Sequence, residues 1–175
     1  MNLKKRGYMD KILYINLTDG SCKFSPLDEK AAYLLLGGKG LGLWILYKMT
    51  RAGINPLSPE NLLIFATGPL TGTIAPTSSK LCIVTKSPAT GTLLDSYCGG
   101  FFASELKFAG FDCIVISGRA DEPSIIVIEN ESVDIKPAKH LWGLNTAETE
   151  AAIKGWLGKT LKLRVSVQPE KGSLQ

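Results

Sequence analysis

The sequence predicts an α+β fold of mixed, largely antiparallel sheets with about four helices, in a single domain over residues 1–175. Two observations carry this reading. Apolar runs of strand length come in neighbouring pairs separated by turn residues, the pattern of hairpins. Helical stretches fall among them without the regular strand–helix–strand alternation of a parallel sheet. At 175 residues, with 45% hydrophobic and 21% charged, the chain is long and apolar enough to bury one core.

Leu13, Ile15 and Leu17 alternate with Tyr14 and Asn16 as a strand; Asp19-Gly20 turns it and Cys22-Lys23-Phe24 returns beside it. Asp28 is placed to cap a helix carrying Ala31, Leu34 and Leu35 on one face and stopped by Gly37-Gly38. A second helix, 41–49, is apolar nearly all round through Leu43, Trp44, Ile45, Leu46 and Tyr47, which predicts burial on every side. Residues 62–66 are wholly apolar and read as a central strand. Gly68, Pro69, Gly72 and Pro76 then force a shaped loop.

A strand over 81–85 turns at 87–91, Cys98-Gly99-Gly100 opens a helix with Phe102, Leu106 and Ala109 on one side, and 113–116 is again strand. Residues 125–128 and 133–135 flank Asn130-Glu131-Ser132 as a hairpin. Asn145 and Glu148 form a capping pattern for a helix whose Ile153, Trp156 and Leu157 face inward. Leu161, Leu163, Val165 and Val167 alternate with Lys162, Arg164 and Ser166 in a last half-buried strand, before a tail without periodicity over 168–175.

Composition excludes several classes of function. The net charge of +4 is scattered, with Lys4-Lys5-Arg6 the one cluster, so no basic face points to nucleic acid. No apolar run approaches the ~20 residues that cross a bilayer, and the basic, polar start does not resemble a signal peptide. Cys22, Cys82, Cys98 and Cys113 include no Cys-x-x-Cys pair, which argues against a zinc or iron–sulfur site made by these residues alone. A reduced, cytoplasmic protein is expected.

Two nucleotide motifs fail on spacing. After Gly38 and Gly40 a dinucleotide fingerprint needs glycine where Leu43 stands, and Gly158-Lys159-Thr160 would put the first glycine of a phosphate loop on Ile153. His140, the single histidine, lies beside Trp142 in a loop and reads as structural. Cys98, read at a helix start, would have a lowered pKa if partly exposed, although most lone cysteines are small buried hydrophobes. What remains is two or three glycine-rich loops suited to a phosphate-bearing ligand.

Several strings carry a resemblance by their joint order: Gly37-Gly38-Lys39-Gly40-Leu41-Gly42, Pro56-Leu57-Ser58-Pro59-Glu60-Asn61, and Gly68-Pro69-Leu70-Thr71-Gly72-Thr73 with Ala75-Pro76-Thr77. Thr85-Lys86-Ser87-Pro88, Thr90-Gly91, Gly99-Gly100-x-Phe102 and Glu105-Leu106-Lys107-Phe108-Ala109-Gly110 follow. Lys11-Ile12-Leu13 near the start and His140-x-Trp142-Gly143 near the end also fit. Together they resemble the N-terminal domain of the tungsten-containing aldehyde:ferredoxin oxidoreductase family.

The resemblance implies oxidation of an aldehyde to a carboxylic acid, with ferredoxin accepting the electrons. It implies a tungsten or molybdenum bis-pterin, a magnesium ion between the pterin phosphates, and a nearby 4Fe-4S cluster whose four cysteines come from later domains. This segment would be the base on which the bis-pterin lies, a fragment inactive and metal-free in isolation, with an apolar or glycine-rich face left bare. No residue of the segment is assigned as catalytic. The alternative is a truncated or split-gene module that binds a cofactor or partner polypeptide without turnover. Partners implied are the remainder of the same enzyme, ferredoxin and a second copy in a homodimer, with no nucleic acid and no membrane.

Carried over residue by residue, the cofactor-binding candidates are Thr77, Lys80, Tyr97, Cys98, Gly99 and Gly100. Lys80 stands where the family has an arginine bridging pterin and cluster, and it keeps the charge while losing the forked geometry. Tyr97 stands where an asparagine offers its backbone carbonyl to the magnesium, and Lys39 replaces a usual arginine. The expectation that follows is geometric: Lys80 and Gly99-Gly100 should share one concave surface.

Overall fold

The computed structural model describes residues 7–157 and 163–167. The chain divides into two compact units, Met1–Arg119 and Ala120–Gln175.

The larger unit is built on six strands: β1 (Ile12–Asn16), β2 (Ser21–Ser25), β3 (Leu63–Ala66), β4 (Leu81–Lys86), β5 (Leu93–Cys98) and β6 (Cys113–Ser117). They lie in the order β2-β1-β6-β3-β4-β5. β1 and β6 run parallel and every other neighbouring pair is antiparallel, a mixed and largely antiparallel sheet as expected. β3 is interior, between β6 and β4, and its Ile64 and Ala66 are fully buried.

Helix α1 (Glu29–Leu35) starts where the Asp28 carboxylate accepts the amides of Lys30 and Ala31 at 2.8 and 3.0 Å. Its buried residues are Ala31 and Ala32, whereas Leu34 is exposed, so the inward face is set one position away from the expected stripe. Helix α2 (Gly38–Met49) presses Leu41, Ile45 and Leu46 into a core with Ile64, Val84 and Val115. At Gly42 an added Cβ would lie 2.7 Å from Val84 Cγ2, so the missing side chain lets helix and sheet touch.

Burial on every side of α2 is not what the structure shows. Tyr47 is 81% exposed, and Leu43 and Trp44 are only partly buried. A helix on one sheet face has one covered side, and apolar residues on its back need their own cover. Lys48 supplies part of it, its Nζ 5.5 Å from the Trp44 ring centroid.

A second difference lies at 93–98. β5 has no buried residue and no clean alternation, being an edge strand, so hydrophobic periodicity carries no sign of it. Cys98 therefore ends a strand, and helix α3 (Phe102–Phe108) begins four residues later.

The smaller unit has strands β7 (Ser124–Glu129), β8 (Ser132–Pro137) and β9 (Leu163–Val167), all antiparallel, in the order β8-β7-β9. Residues 161–162 of the expected last strand, and the tail 168–175, lie outside the described residues. Helix α4 (Thr146–Leu157) opens on the reciprocal cap: Asn145 N–H donates to Glu148 Oε2 at 3.0 Å, and Glu148 N–H donates to Asn145 Oδ1 at 2.9 Å. Ala152, Ile153 and Leu157 pack on Ile125, Val127 and Leu141. Trp156, expected inside, stays 42% exposed and meets His140 edge-on, ring centroids 4.8 Å apart. With α1 to α4 the described residues contain the four helices anticipated.

Candidate functional site

A cleft of about 250 Å³ opens in the larger unit where four pieces of chain meet. The α1–α2 junction contributes Leu36, Gly37 and Gly38; the end of β3 and its loop contribute Ala66, Gly68, Pro69 and Thr71. The start of β4 brings Lys80, Leu81 and Cys82, and β5 brings Tyr97.

Strand pairing explains why residues distant in sequence meet here. β4 and β5 are joined with Leu81 opposite Cys98 and Cys82 opposite Tyr97, which carries Lys80 to the same sheet end as Gly99. Ser79 Oγ donates to Gly100 O at 2.5 Å and lies 2.9 Å from Ser104 Oγ, tying the two loops together. The α1–α2 junction is anchored by Gly38 N–H, which donates to Thr67 O at 2.9 Å. A Cβ at Gly37 would lie 2.6 Å from that same Thr67 carbonyl oxygen, so only glycine allows this approach. Within the loop, the Thr71 hydroxyl oxygen accepts Gly68 N–H at 3.2 Å and Thr71 N–H donates to Gly68 O at 3.2 Å.

The candidates inferred from sequence are distributed unevenly over this geometry. Lys80 and Tyr97 line the cleft. Gly99 and Gly100 are not among the lining residues; Gly100 O accepts a hydrogen bond from Ser79, the chain neighbour of Lys80, and Gly99 lies between Gly100 and the end of β5. A side chain added at Gly99 or Gly100 would meet nothing within 4 Å, although the φ of 99° at Gly100 favours glycine. Cys98 is an exposed free thiol outside the lining residues. Thr77 is also outside them, and it holds φ at 56°, a genuine outlier for a β-branched residue.

Charges around the cleft are arranged by β5. Asp95 pairs with Lys39 of α2 at 2.9 Å. The Tyr97 phenol is pushed up to about 12, first by partial removal from water, then by its hydrogen bond to Cys82 and by Asp95. Burial raises the Cys82 thiol, partly offset by the hydrogen bond from Tyr97. Lys80 lines the cleft, and among the described residues no carboxylate forms an ion pair with it. Phosphates, anionic and rich in acceptors, suit such a position. Among the described residues no group of three or more His, Cys, Asp or Glu is placed to hold a metal ion. No helix of the described residues is long and apolar enough to cross a membrane.

Behind the cleft lies a buried ion pair that sequence reasoning did not anticipate. Lys107 and Asp112, each 2% exposed, meet at 2.5 Å. Lys107 Nζ also donates to Gly7 O at 2.7 Å, and the Asp112 carboxylate accepts the amides of Met9 and Asp10, at 3.0 and 2.8 Å. The Asp112 carbonyl accepts both the amide and the hydroxyl of Thr67, at 3.0 and 2.9 Å. The signal available in sequence was a charge at each edge of the short apolar stretch Phe108 to Phe111, and that alone does not distinguish a sealed pair from two surface residues.

Comparison with known proteins gives the chain its relatives. Residues 12–168 match the family model described as aldehyde ferredoxin oxidoreductase, N-terminal domain. A tungsten-containing aldehyde ferredoxin oxidoreductase of Pyrococcus abyssi is 48% identical over 152 residues, 87% of this chain and 25% of that protein. The enzyme of the same description from Pyrococcus furiosus is 43% identical over 163 residues, 93% of this chain and 27% of that protein. Among solved structures, the active-site complex BamBC of benzoyl coenzyme A reductase with 1,5-dienoyl-CoA matches with a TM-score of 0.85 and 39% identity. That match covers 87% of this chain and 23% of the solved one. The chain thus spans about a quarter of the length of these relatives. It belongs to the aldehyde ferredoxin oxidoreductase family, as N-terminal domain sequence of that family.

Proposed function

We propose that the cleft of the larger unit is the base for a tungsten or molybdenum bis-pterin in an oxidoreductase that converts an aldehyde to a carboxylic acid. The observation that carries this reading is that Lys80 and Tyr97, distant in sequence, line one cleft with Gly37, Gly38 and Gly68, while Ser79 beside Lys80 hydrogen-bonds Gly100 O. The residues present fit such a group. An unpaired lysine suits a phosphate, Tyr97 and Leu36 offer apolar wall for a flat ring, and the glycines let a ligand approach the backbone.

In the proposed arrangement Lys80 would offset the negative charge of a bound phosphate, and the backbone carbonyl of Tyr97, near the end of β5, would be a ligand for magnesium. The bound metal supplies the redox chemistry: aldehyde plus water becomes acid, with two protons and two electrons released. A 4Fe-4S cluster would carry the electrons on to ferredoxin. This chain's residues hold and orient; none reacts. The proposed cluster ligands belong to other parts of the enzyme.

Leu70, Ile74, Phe101 and Phe108 are exposed, Ile74 completely, and exposed apolar residues on this scale favour association. They support docking of the remaining enzyme, or of a second copy, against this unit. Sedimentation of the isolated chain should show self-association rising with concentration, and a strict monomer would count against it.

The direct test is the tungsten and pterin content of the longer oxidoreductase carrying this segment, purified without oxygen. Lys80→Ala should reduce both contents while leaving the folded yield unchanged. Unchanged contents would return Lys80 to the class of ordinary surface lysines. The isolated chain should carry no iron, and stoichiometric iron in it would contradict the assignment of the cluster ligands to other parts of the enzyme.

A further inference from the structure

The rim of the cleft is built on a strained turn. Leu36 stands at φ 61° and ψ −51°, and Gly37 N–H donates to Leu35 O at 2.7 Å. That is a γ-turn of the left-handed-φ form, rare and strained, and a bulky residue at its centre is an outlier. Leucine is not there to fill the core, because its side chain is 64% exposed and lines the cleft. Such a conformation persists only where its surroundings over-determine it.

The surroundings are specific. The Tyr8 hydroxyl donates to Leu36 O at 2.6 Å and lies 3.3 Å from Ala32 O, while its ring is buried in the core. Lys107 Nζ stands 5.6 Å from the centroid of that ring. The buried Lys107–Asp112 pair grips the chain on both sides of Tyr8, through Gly7 O and the amides of Met9 and Asp10. At Gly7 (φ 85°) an added Cβ would lie 2.2 Å from Pro69 O, so the same segment bears on a second wall of the cleft.

We propose that Tyr8, held in place by the Lys107–Asp112 pair, is a positioning residue of the cleft: its hydroxyl fixes the strained turn that sets Leu36 and Gly37 at the rim. This rests on the reading of the cleft as a pterin-phosphate site. Tyr8 touches no ligand in this account. The buried pair holds residues 7–10, Tyr8 holds Leu36, and the turn sets the width of the opening.

The test is a fluorescence titration of the whole chain with neopterin monophosphate, a pterin phosphate with its own emission, at a temperature well below unfolding. Tyr8→Phe keeps the ring and removes the hydroxyl. Its affinity should fall about tenfold, the weight of one hydrogen bond to a fixed acceptor, with the unfolding temperature lowered by only about a few degrees. Leu36→Gly removes a wall of the cleft and serves as the reference background, in which the turn no longer needs holding because glycine enters positive φ unaided. Adding Tyr8→Phe to it should change affinity by no more than about twofold, whereas a general loss of stability would carry the same tenfold penalty into both backgrounds.

Unaltered binding by Tyr8→Phe, or the same tenfold loss when Tyr8→Phe is made in the Leu36→Gly background, overturns the positioning role. If the wild type binds and Lys80→Ala weakens binding while Tyr8→Phe does not, the cleft stands and this inference alone fails. If the wild type does not bind the probe, both fail.

Discussion

Lys107 and Lys80 lie at the same loop, residues 68–77, and stand in opposite environments. Lys107 packs beneath it, its Cβ 3.4 Å from where a Cβ at Gly72 would sit, and its charge is consumed by Asp112 and Gly7 O. Lys80 follows the loop, exposed and lining the cleft. One side of the loop is closed by satisfied buried polar groups, and the other keeps a cation, two strained residues and open space above Gly99 and Gly100. Buried charges are tolerated only when paired, so the sealed side reports folding. An exposed charge without a partner adds little to folding, so the open side is where recognition has room.

Substitution should separate the two sides, most sharply at the lysines. Lys107→Met leaves the Asp112 carboxylate buried with only backbone donors, and should cost about 3–5 kcal/mol in denaturant unfolding. Lys80→Met should change stability by no more than about 0.5 kcal/mol. Equal losses would erase the distinction. The glycines sharpen it on a smaller scale. Gly42→Ala must displace Val84 Cγ2, 2.7 Å from the new methyl, and should cost about 1–3 kcal/mol. At Gly99 nothing lies within 4 Å, so Gly99→Ala should leave stability within about 0.5 kcal/mol in thermal unfolding.

The smallest effect is in alkali. The Tyr97 phenol is raised from 10.0 to about 12 in the folded chain, so between those values the folded state holds more protons than the unfolded. Its contribution is complete below about pH 10 and is lost as pH rises through about 12. Tyr8 and Tyr14 are raised by burial first, with nearby acidic groups second, and act in the same direction. Tyr97→Phe should make the alkaline fall of the unfolding temperature shallower. A steeper fall would contradict the protonated, hydrogen-bonded phenol.

Which parts of this were legible in the sequence follows from how local their causes are. The caps at Asp28 and Asn145–Glu148 act over three residues and could be read directly. β3 was legible because an interior strand is apolar throughout, and β5 was hidden because an edge strand need not be. The glycine and proline strings located the loops of the cleft, and the family resemblance singled out Lys80 and Tyr97 among many similar residues. Tyr8, Leu36, Lys107 and Asp112 left no such mark. Their contacts span up to 100 residues or more, from Gly7 to Lys107 and Met9 to Asp112, and depend on the assembled sheet. Positive φ at Leu36 is equally invisible, since leucine at that position advertises a helix.

The measurement that bears most directly on the whole account is a paired titration of wild type and Lys80→Ala with neopterin monophosphate, at low and high salt, with unfolding temperatures recorded on the same samples. The account predicts saturable binding by the wild type that weakens with salt. It predicts a loss of about tenfold or more in Lys80→Ala, at an unchanged unfolding temperature. Equal affinity in the two proteins, or a loss that simply follows the unfolding temperature, would contradict the claim that the open side of the loop is built to hold a phosphate-bearing pterin.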